Sequence, residues 1–272
     1  MNRMTRQWAL AGVLSLVAST VSAQAPAVPV PFEPKVGQPG KDVVWVPTPD
    51  ALVQRMLDLA KVTPADFLID LGSGDGRTVI AAAKRGLRGH GIEFNPDMVR
   101  LAQAAARREG VAARATFEQA DLFTKIDELR KADVITMFLL SSINLRLRPA
   151  LLDLEPGTRI VSNTFRMAEW EPDQVSRVEG NCVAWCEALL WIVPAKVEGA
   201  WQVGGETLTL RQTFQIAEGT LGARPIENGR LNGGEITFTV GTSRYTGAVH
   251  GDAISGTIAG GGTWTARRAA AR

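Results

Sequence analysis

The chain has 272 residues, room for one large domain and a smaller one. Its 30 basic and 28 acidic side chains nearly cancel, and the arginines are scattered without a dense basic run, so nothing calls for a nucleic-acid partner. His90 and His250 stand alone, with no His/Cys cluster of the kind that binds a metal.

The first residues read as targeting. Arg3 and Arg6 make a basic start, Trp8 to Ala18 is apolar, and Val21-Ser22-Ala23 offers a small-x-small cleavage site before Gln24. The apolar run is too short for an ordinary membrane span, and no later stretch is long enough either. The expectation is therefore a signal peptide over 1–23, no stable membrane span after its removal, and a periplasmic or secreted protein. A misassigned start would make it cytoplasmic. Residues 24–42, rich in Pro, Gly and Val, read as a linker.

After Val43-Val44-Trp45-Val46-Pro47, Thr48 or Asp50 is placed to cap a helix from Ala51 to about Lys61. The Val-Pro-Thr-Pro stretch would border any site on the sheet that follows. Phe67-Leu68-Ile69 reads as a buried strand, and Arg77 to Lys84 as a helix closed by Gly86. Between them lies Asp70-Leu71-Gly72-Ser73-Gly74-Asp75-Gly76, a glycine-rich turn that lets backbone approach a ligand, with free N–H groups at the helix start. The dinucleotide fingerprint needs a third glycine where Arg77 stands. Asp70 and Asp75 would repel a pyrophosphate but attract a cation. S-adenosylmethionine, with an ammonium, a sulfonium and one carboxylate, fits this turn better than NAD.

His90-Gly91-Ile92-Glu93-Phe94 reads as the second strand, with Glu93 at its tip placed to accept from both ribose hydroxyls. Asn95 caps the next helix, with Pro96 at its first position. A third strand over 114–120 runs into Asp121-Leu122-Phe123, where the acid can accept from the adenine amino group and Leu122 or Phe123 lie against the ring. Three acids at successive strand ends are far more specific than the glycines alone. The cofactor set is Asp70, Gly72, Ser73, Gly74, Asp75, Gly76, Glu93, Phe94, Asn95, Asp121 and Leu122.

Asp133 to Leu140 reads as a fully buried strand, followed by a helix through Leu147 to Leu154, and Thr158 to Phe165 as the next strand. Gln174 to Glu179 and Glu187 to Pro194 would close the sheet as an antiparallel pair. This alternation makes a doubly wound, mostly parallel α/β sheet over residues 43–195. Here the residues resemble a family. Val46 to Pro49, Asp70 to Arg77, Gly91 to Pro96, Asp121 to Phe123, and Pro156 to Ser162 with Phe165 and Trp170 are similar to the class I, seven-strand S-adenosylmethionine-dependent methyltransferases. More narrowly, they resemble the protein-lysine methyltransferases that include the mitochondrial enzymes acting on ATP synthase and on the adenine nucleotide translocase. The resemblance implies a Rossmann-like fold and methyl transfer to a protein lysine. The Asn/Asp-Pro-Pro-aromatic box usual in enzymes acting on nucleobases or glutamine amides is replaced by Leu139-Leu140-Ser141-Ser142. No base stands out; Thr48, Asn144, Ser162 and Asn163 are polar candidates for lining an acceptor channel.

Cys182 and Cys186 are the only cysteines, and an even number in an exported chain favours a disulfide over two free thiols. From residue 196 to 272 the composition turns to glycine, threonine and short alternating runs: a small antiparallel sheet or barrel cored by Trp201, Phe214, Phe238, Tyr245 and Trp264. Two other readings compete with a protein methyltransferase. One is a non-catalytic envelope protein that kept the pocket; the other is a methyltransferase with a small-molecule acceptor.

Overall fold

A computed structural model describes residues 32–180 and 182–269. The expected signal segment, 1–23, and residues 24–31 of the expected linker lie outside the described residues. The rest of that linker departs from expectation, since residues 38–42 fold back by backbone hydrogen bonds and line a cavity. From Glu33 on, the chain belongs to one compact unit.

Helix α1 (Asp50–Leu59) leads into β1 (Phe67–Leu71), α2 (Arg77–Lys84), β2 (Arg88–Glu93), α3 (Pro96–Arg108), β3 (Ala115–Gln119), β4 (Val134–Met137), α4 (Ser141–Leu152), β5 (Arg159–Asn163), β6 (Gln174–Arg177) and β7 (Glu187–Ile192). The sheet order is β3-β2-β1-β4-β5-β7-β6. The first five of these are parallel, while β7 runs antiparallel to both β5 and β6. Helices α1 to α3 bury Leu52, Met56, Val79, Ala82, Val99 and Ala102 on one face, and α4 buries Ile143, Leu147 and Leu151 on the other. A sheet covered on both sides explains why Phe67–Leu71 and Val134–Met137 are buried without alternation, Asp70 and Thr136 included.

Local chemistry sets the helix starts. The Asn95 side chain accepts from the Asp97 and Met98 N–H groups, with Pro96 next. Helix α1 departs from expectation: its cap position is Pro49, and neither Thr48 nor Asp50 caps it. The Thr48 carbonyl is instead held by the Arg77 guanidinium at 2.9 Å. Helix α4 begins at Ser141, so Asn144 sits inside a helix rather than in a loop.

The remaining strands are β8 (Gly199–Val203), β9 (Glu206–Thr213), β10 (Ile216–Leu221), β11 (Arg224–Pro225), β12 (Glu227–Asn232), β13 (Glu235–Val240), β14 (Ser243–His250), β15 (Ala253–Ile258) and β16 (Thr263–Arg268). All pairs are antiparallel. Because β16 pairs with β8 and β9 with both β8 and β10, eight strands close into a barrel, with β11 a short addition. Closure removes the free edges that an open sheet would expose. Side chains fill the interior: Phe238 stacks on Tyr245 with centroids 4.9 Å apart, and Trp264 meets both edge-on at 5.6 Å.

Phe214 is not part of that core. It occupies the β9–β10 turn at φ +53° and stacks on Trp170 of the parallel-sheet lobe, 5.9 Å away and 14° from parallel. Beside it the Gln215 side chain donates to the Glu171 carbonyl at 2.8 Å, and Arg230 pairs with Asp173 at 2.6 Å. The Ala195 N–H donates to the Gly233 carbonyl at 2.8 Å. The barrel therefore shields an aromatic face of the first sheet. Phe214→Ala should lower stability by about 1–3 kcal/mol, a shift of several degrees in Tm, since it removes both a stacked pair and buried apolar area. A melting curve superimposable on that of the parent chain would show the contact to carry no stability.

Candidate active site

The carboxyl edge of the parallel strands opens into a cavity of about 420 Å³. Its floor is the β1–α2 turn. Gly72 (φ +72°) and Gly74 (φ +53°) take left-handed backbone that bends the chain sharply. A Cβ on Gly74 would lie 2.7 Å from Trp45 Nε1, so only glycine lets that indole cover the turn. Gly76 also has positive φ, but it turns away from the cavity: a Cβ there would strike Phe117 and Ala102. Its role is to seat α2 against α3 and β3, not to touch a ligand.

Four acids converge here and each is neutralised differently. Asp70, buried at the end of β1, accepts from the Thr136 hydroxyl at 2.6 Å. Burial pushes its carboxyl up to about 7; the Thr136 hydroxyl opposes this, and the Glu93 and Asp75 charges add to it. Glu93, at the tip of β2, accepts from the Gly74 N–H at 2.9 Å and the Asn95 N–H at 2.8 Å. It thereby ties the glycine turn to the start of α3. Asp75 lines the cavity but is held by Arg77, with Nη2 to Oδ2 at 2.6 Å. Arg77, in the place of a third fingerprint glycine, anchors both Asp75 and the Thr48 carbonyl. Asp121 accepts from the Phe123 N–H at 3.0 Å and pairs with Lys41. These two bonds, Lys41 first, hold its carboxyl below the usual range.

Of the residues expected to hold a cofactor, all but Gly76 line this cavity. The polar candidates for an acceptor channel divide. Thr48 lines the cavity, whereas Asn144, Ser162 and Asn163 are fully buried behind it. Ser162 Oγ and Asn144 Nδ2 both donate to the Phe165 carbonyl, at 2.8 and 3.1 Å, and Asn163 Nδ2 donates to Thr48 Oγ1 at 3.3 Å. They position the wall and do not reach the cavity. Leu122 lines the cavity, while Phe123 lies under the Arg146 guanidinium at 3.8 Å.

Two parts of the wall go beyond what the sequence marks, which is only Val46-Pro47 at the border of the site and Phe165 among the residues of the family resemblance. One is a strap over residues 37–47, closed by hydrogen bonds from the Gly37 N–H to the Trp45 carbonyl and from the Trp45 N–H to the Gln38 carbonyl, 2.8 and 2.9 Å. Its Lys41 also lies over the Phe94 ring at 5.1 Å. The other is aromatic: Phe138, Phe165 and Trp185. The strap's pairing is too short to alternate, so periodicity cannot mark it. The aromatics follow strands β4 and β5 and precede β7, and only topology brings them together.

The residues present fit S-adenosylmethionine. Ser73 lines the cavity, while its Oγ is buried against Gly91 with no partner among the described residues, so the fit rests on the charged and backbone groups of the edge. Asp70 and Glu93 offer acceptors to an ammonium and to ribose hydroxyls, Asp121 to an adenine amino group, and the N–H groups opening α2 offer donors to a carboxylate. A cationic ligand favours the charged form of Asp70, so its uptake should release a proton below pH 7. Affinity should then fall by up to about tenfold per pH unit as pH drops below 7. The stability sign is opposite. Its folded-state value lies above the unfolded one, so the Asp70 contribution to stability is fully present below about pH 4 and is lost as pH rises through 7. Calorimetric titration in buffers of different ionisation enthalpy reads the proton release, and Asp70→Asn should abolish it. Ligand uptake without proton release by the parent chain at pH 6 would remove Asp70 from the ligand's surroundings.

The family model described as the ANTKMT methyltransferase domain matches residues 70–174. A protein-lysine N-methyltransferase of Saccharolobus islandicus is 43% identical over 143 residues, covering 51% of this chain and 88% of the relative. The adenine nucleotide translocase lysine N-methyltransferase of Mus musculus is 38% identical over 122 residues, 44% of this chain and 52% of its own length. Among solved structures, an RNA methyltransferase from Salinibacter ruber in complex with S-adenosyl-L-homocysteine is 45% identical, covers 56% of this chain and 96% of that one, and superposes with a TM-score of 0.52. None of these coverages extends over the whole chain. With the strand order, the three acidic strand tips and the glycine turn already in place, these likenesses assign the chain to the S-adenosylmethionine-dependent methyltransferases of the ANTKMT methyltransferase-domain family.

Proposed function

We propose that this methyltransferase acts on lysine side chains of a protein and that it works outside the cytoplasm. The observation that carries the acceptor is the 43% identity to the Saccharolobus protein-lysine enzyme across most of that relative. The wall beyond β1 agrees with it. On the β4 and β5 side the cavity is bounded by Phe138, Leu139, Leu140, Ile143 and Phe165, an apolar surface with no carboxylate of its own. Lysine must lose a proton before it attacks, against a pKa of about 10.4, and an apolar wall favours the neutral amine by desolvation. S-adenosylmethionine, when bound, supplies an electrophilic methyl whose bonding pair leaves with sulfur, so no acid is required of the protein. This chain's contribution is alignment and exclusion of water. The turn and Glu93 fix one end of the cavity, the strap covers it, and Asn144 and Ser162 fix Phe165 at the other end.

A second acceptor is favoured by a specific likeness, since the Salinibacter relative is described as an RNA methyltransferase. The near-neutral charge of this chain and its paired arginines argue against that acceptor. Incubating the oxidised, purified chain with labelled S-adenosylmethionine and an extract of its own envelope decides between them. Label should appear in protein bands and, after hydrolysis, in methyl-lysine. Label confined to RNA or to small molecules would overturn the lysine reading.

Location rests on the signal-like start and on the cysteines. Cys182 and Cys186 are joined in the structure, a bond that oxidising compartments preserve. Protein from its own cell should begin near Gln24 and resist alkylation until reduced. An intact mass for the full chain with two alkylatable thiols would sink the export reading.

A further inference from the structure

Trp185 belongs to no strand and no core cluster, yet it lines the cavity. It sits at φ +53° in the five-residue loop that the Cys182–Cys186 bridge closes, and it remains 43% exposed. Its near neighbour Val183 is 98% exposed, so the loop is not held by burial of its own side chains. The Trp185 ring meets Phe138 edge-on, with centroids 6.0 Å apart and planes at 62°. Phe138 in turn stacks with Phe165 at 5.9 Å and 28°. Three rings from three separate connections thus converge at the end of the cavity away from Glu93 and Asp121. Each is anchored independently. Phe165 is held through its carbonyl by Ser162 and Asn144, Phe138 follows directly on β4, and Trp185 is held by the bridge.

We propose that Phe138, Phe165 and Trp185 form an aromatic box that receives the alkylammonium head of an acceptor lysine, with the Cys182–Cys186 bridge clasping its third wall in place. The inference rests on the lysine reading above and names the group that would recognise that substrate. Aromatic faces attract an organic cation most strongly when it is partly desolvated, and Trp185, at 62° to Phe138, sets a ring at an angle to the stacked Phe138–Phe165 pair. A cation meeting carboxylates there would bind too tightly to shed its proton; rings hold it more weakly, so the desolvation that favours the neutral amine prevails. The box also accounts for an exposed tryptophan in a loop that lacks other packing.

The test uses the full disulfide-bonded chain, with poly-L-lysine as acceptor and labelled S-adenosylmethionine. Trp185→Ala should raise KM for poly-L-lysine about three- to thirtyfold. The calorimetric Kd for S-adenosylmethionine should stay unchanged, and Trp185→Phe, which keeps a π face, should recover most of the loss. Reducing the bridge should reproduce the Trp185→Ala effect. An unchanged KM in Trp185→Ala, or a cofactor affinity that falls in step with it, overturns the box; an unchanged KM on reduction overturns the clasp. Failure of the parent chain to label poly-L-lysine overturns the lysine reading by itself. The box is then decided by calorimetry on the chain loaded with S-adenosylhomocysteine, comparing Nε-trimethyl-lysine amide with its neutral tert-butyl isostere. Preference for the cation that disappears in Trp185→Ala supports the box, and equal or absent binding overturns it. An RNA oligonucleotide that binds through Trp185 in place of the cation also overturns it, since the rings would then be stacking a base.

Discussion

Everything in the site depends on how the protein keeps four carboxylates together at one sheet edge. Left in water-poor surroundings without partners, such a cluster would not stay ionised. Each acid is answered by a different device. Arg77 takes Asp75, the Gly74 and Asn95 N–H groups take Glu93, Lys41 takes Asp121, and Asp70 is left with one hydroxyl. Asp70 is thus the under-compensated member, and burial drives it toward the neutral form. A cationic cofactor completes the balance, which gives the pocket a built-in preference for positive charge. Among the described residues, the group of acids and histidine close enough to suggest a metal, His90, Glu118 and Glu128, lies elsewhere, and Lys125 already bridges its two carboxylates at 2.5 and 3.0 Å.

The same economy explains why the turn tolerates so little change. Glu93 is both a ligand acceptor and a structural tie, because its two oxygens receive backbone donors from the glycine turn and from the cap of α3. Arg77 likewise joins the turn to the Thr48 carbonyl ahead of α1. The floor, the strap and the first helix are therefore one hydrogen-bonded unit. Removing a side chain from it alters geometry as well as contact, and buried polar networks of this sort are worth more than their separate bonds.

Much of the fold was legible in the sequence because its signals are local. Strand and helix alternate, an acid stands at three successive strand ends, and β1 and β4 are announced by mostly apolar runs without alternation. The barrel was legible as a class, but strands β8, β10 and β12 were not. Strands β10 and β12 carry glycine in their interiors, Gly219 and Gly229, where a Cβ would fall 1.8 and 2.0 Å from a carbonyl oxygen of the neighbouring strand. Such residues read as turns in a sequence and as close backbone approach in a structure. Phe214 was read into the wrong core because a turn aromatic carries no sign of which surface it faces. In the site, the acids were legible and the polar wall was not. Asn144, Ser162 and Asn163 have the right character for a channel, but periodicity does not reveal that they spend their bonds on Phe165 and Thr48.

The parts that the β-α alternation does not place are also the parts that belong to this chain rather than to the sheet. Strap and disulfide loop both lie outside the β-α alternation, one before it and one between its last two strands, and both lay a tryptophan against the cavity. The sheet edge supplies the acids and the glycine turn, and the strap adds Lys41 to Asp121. What strap and loop add besides is a roof and a far wall, and those surfaces meet whatever accepts the methyl group. A scaffold that fixes the donor through its acids, while short connections between strands shape the acceptor side, separates chemistry from selectivity. The barrel follows the same division: it leaves the acidic edge untouched and covers Trp170 on the flank. Apart from the short β11, its closed strands offer no edge for a partner to pair with, so a partner it meets is met through its loops and outer side chains.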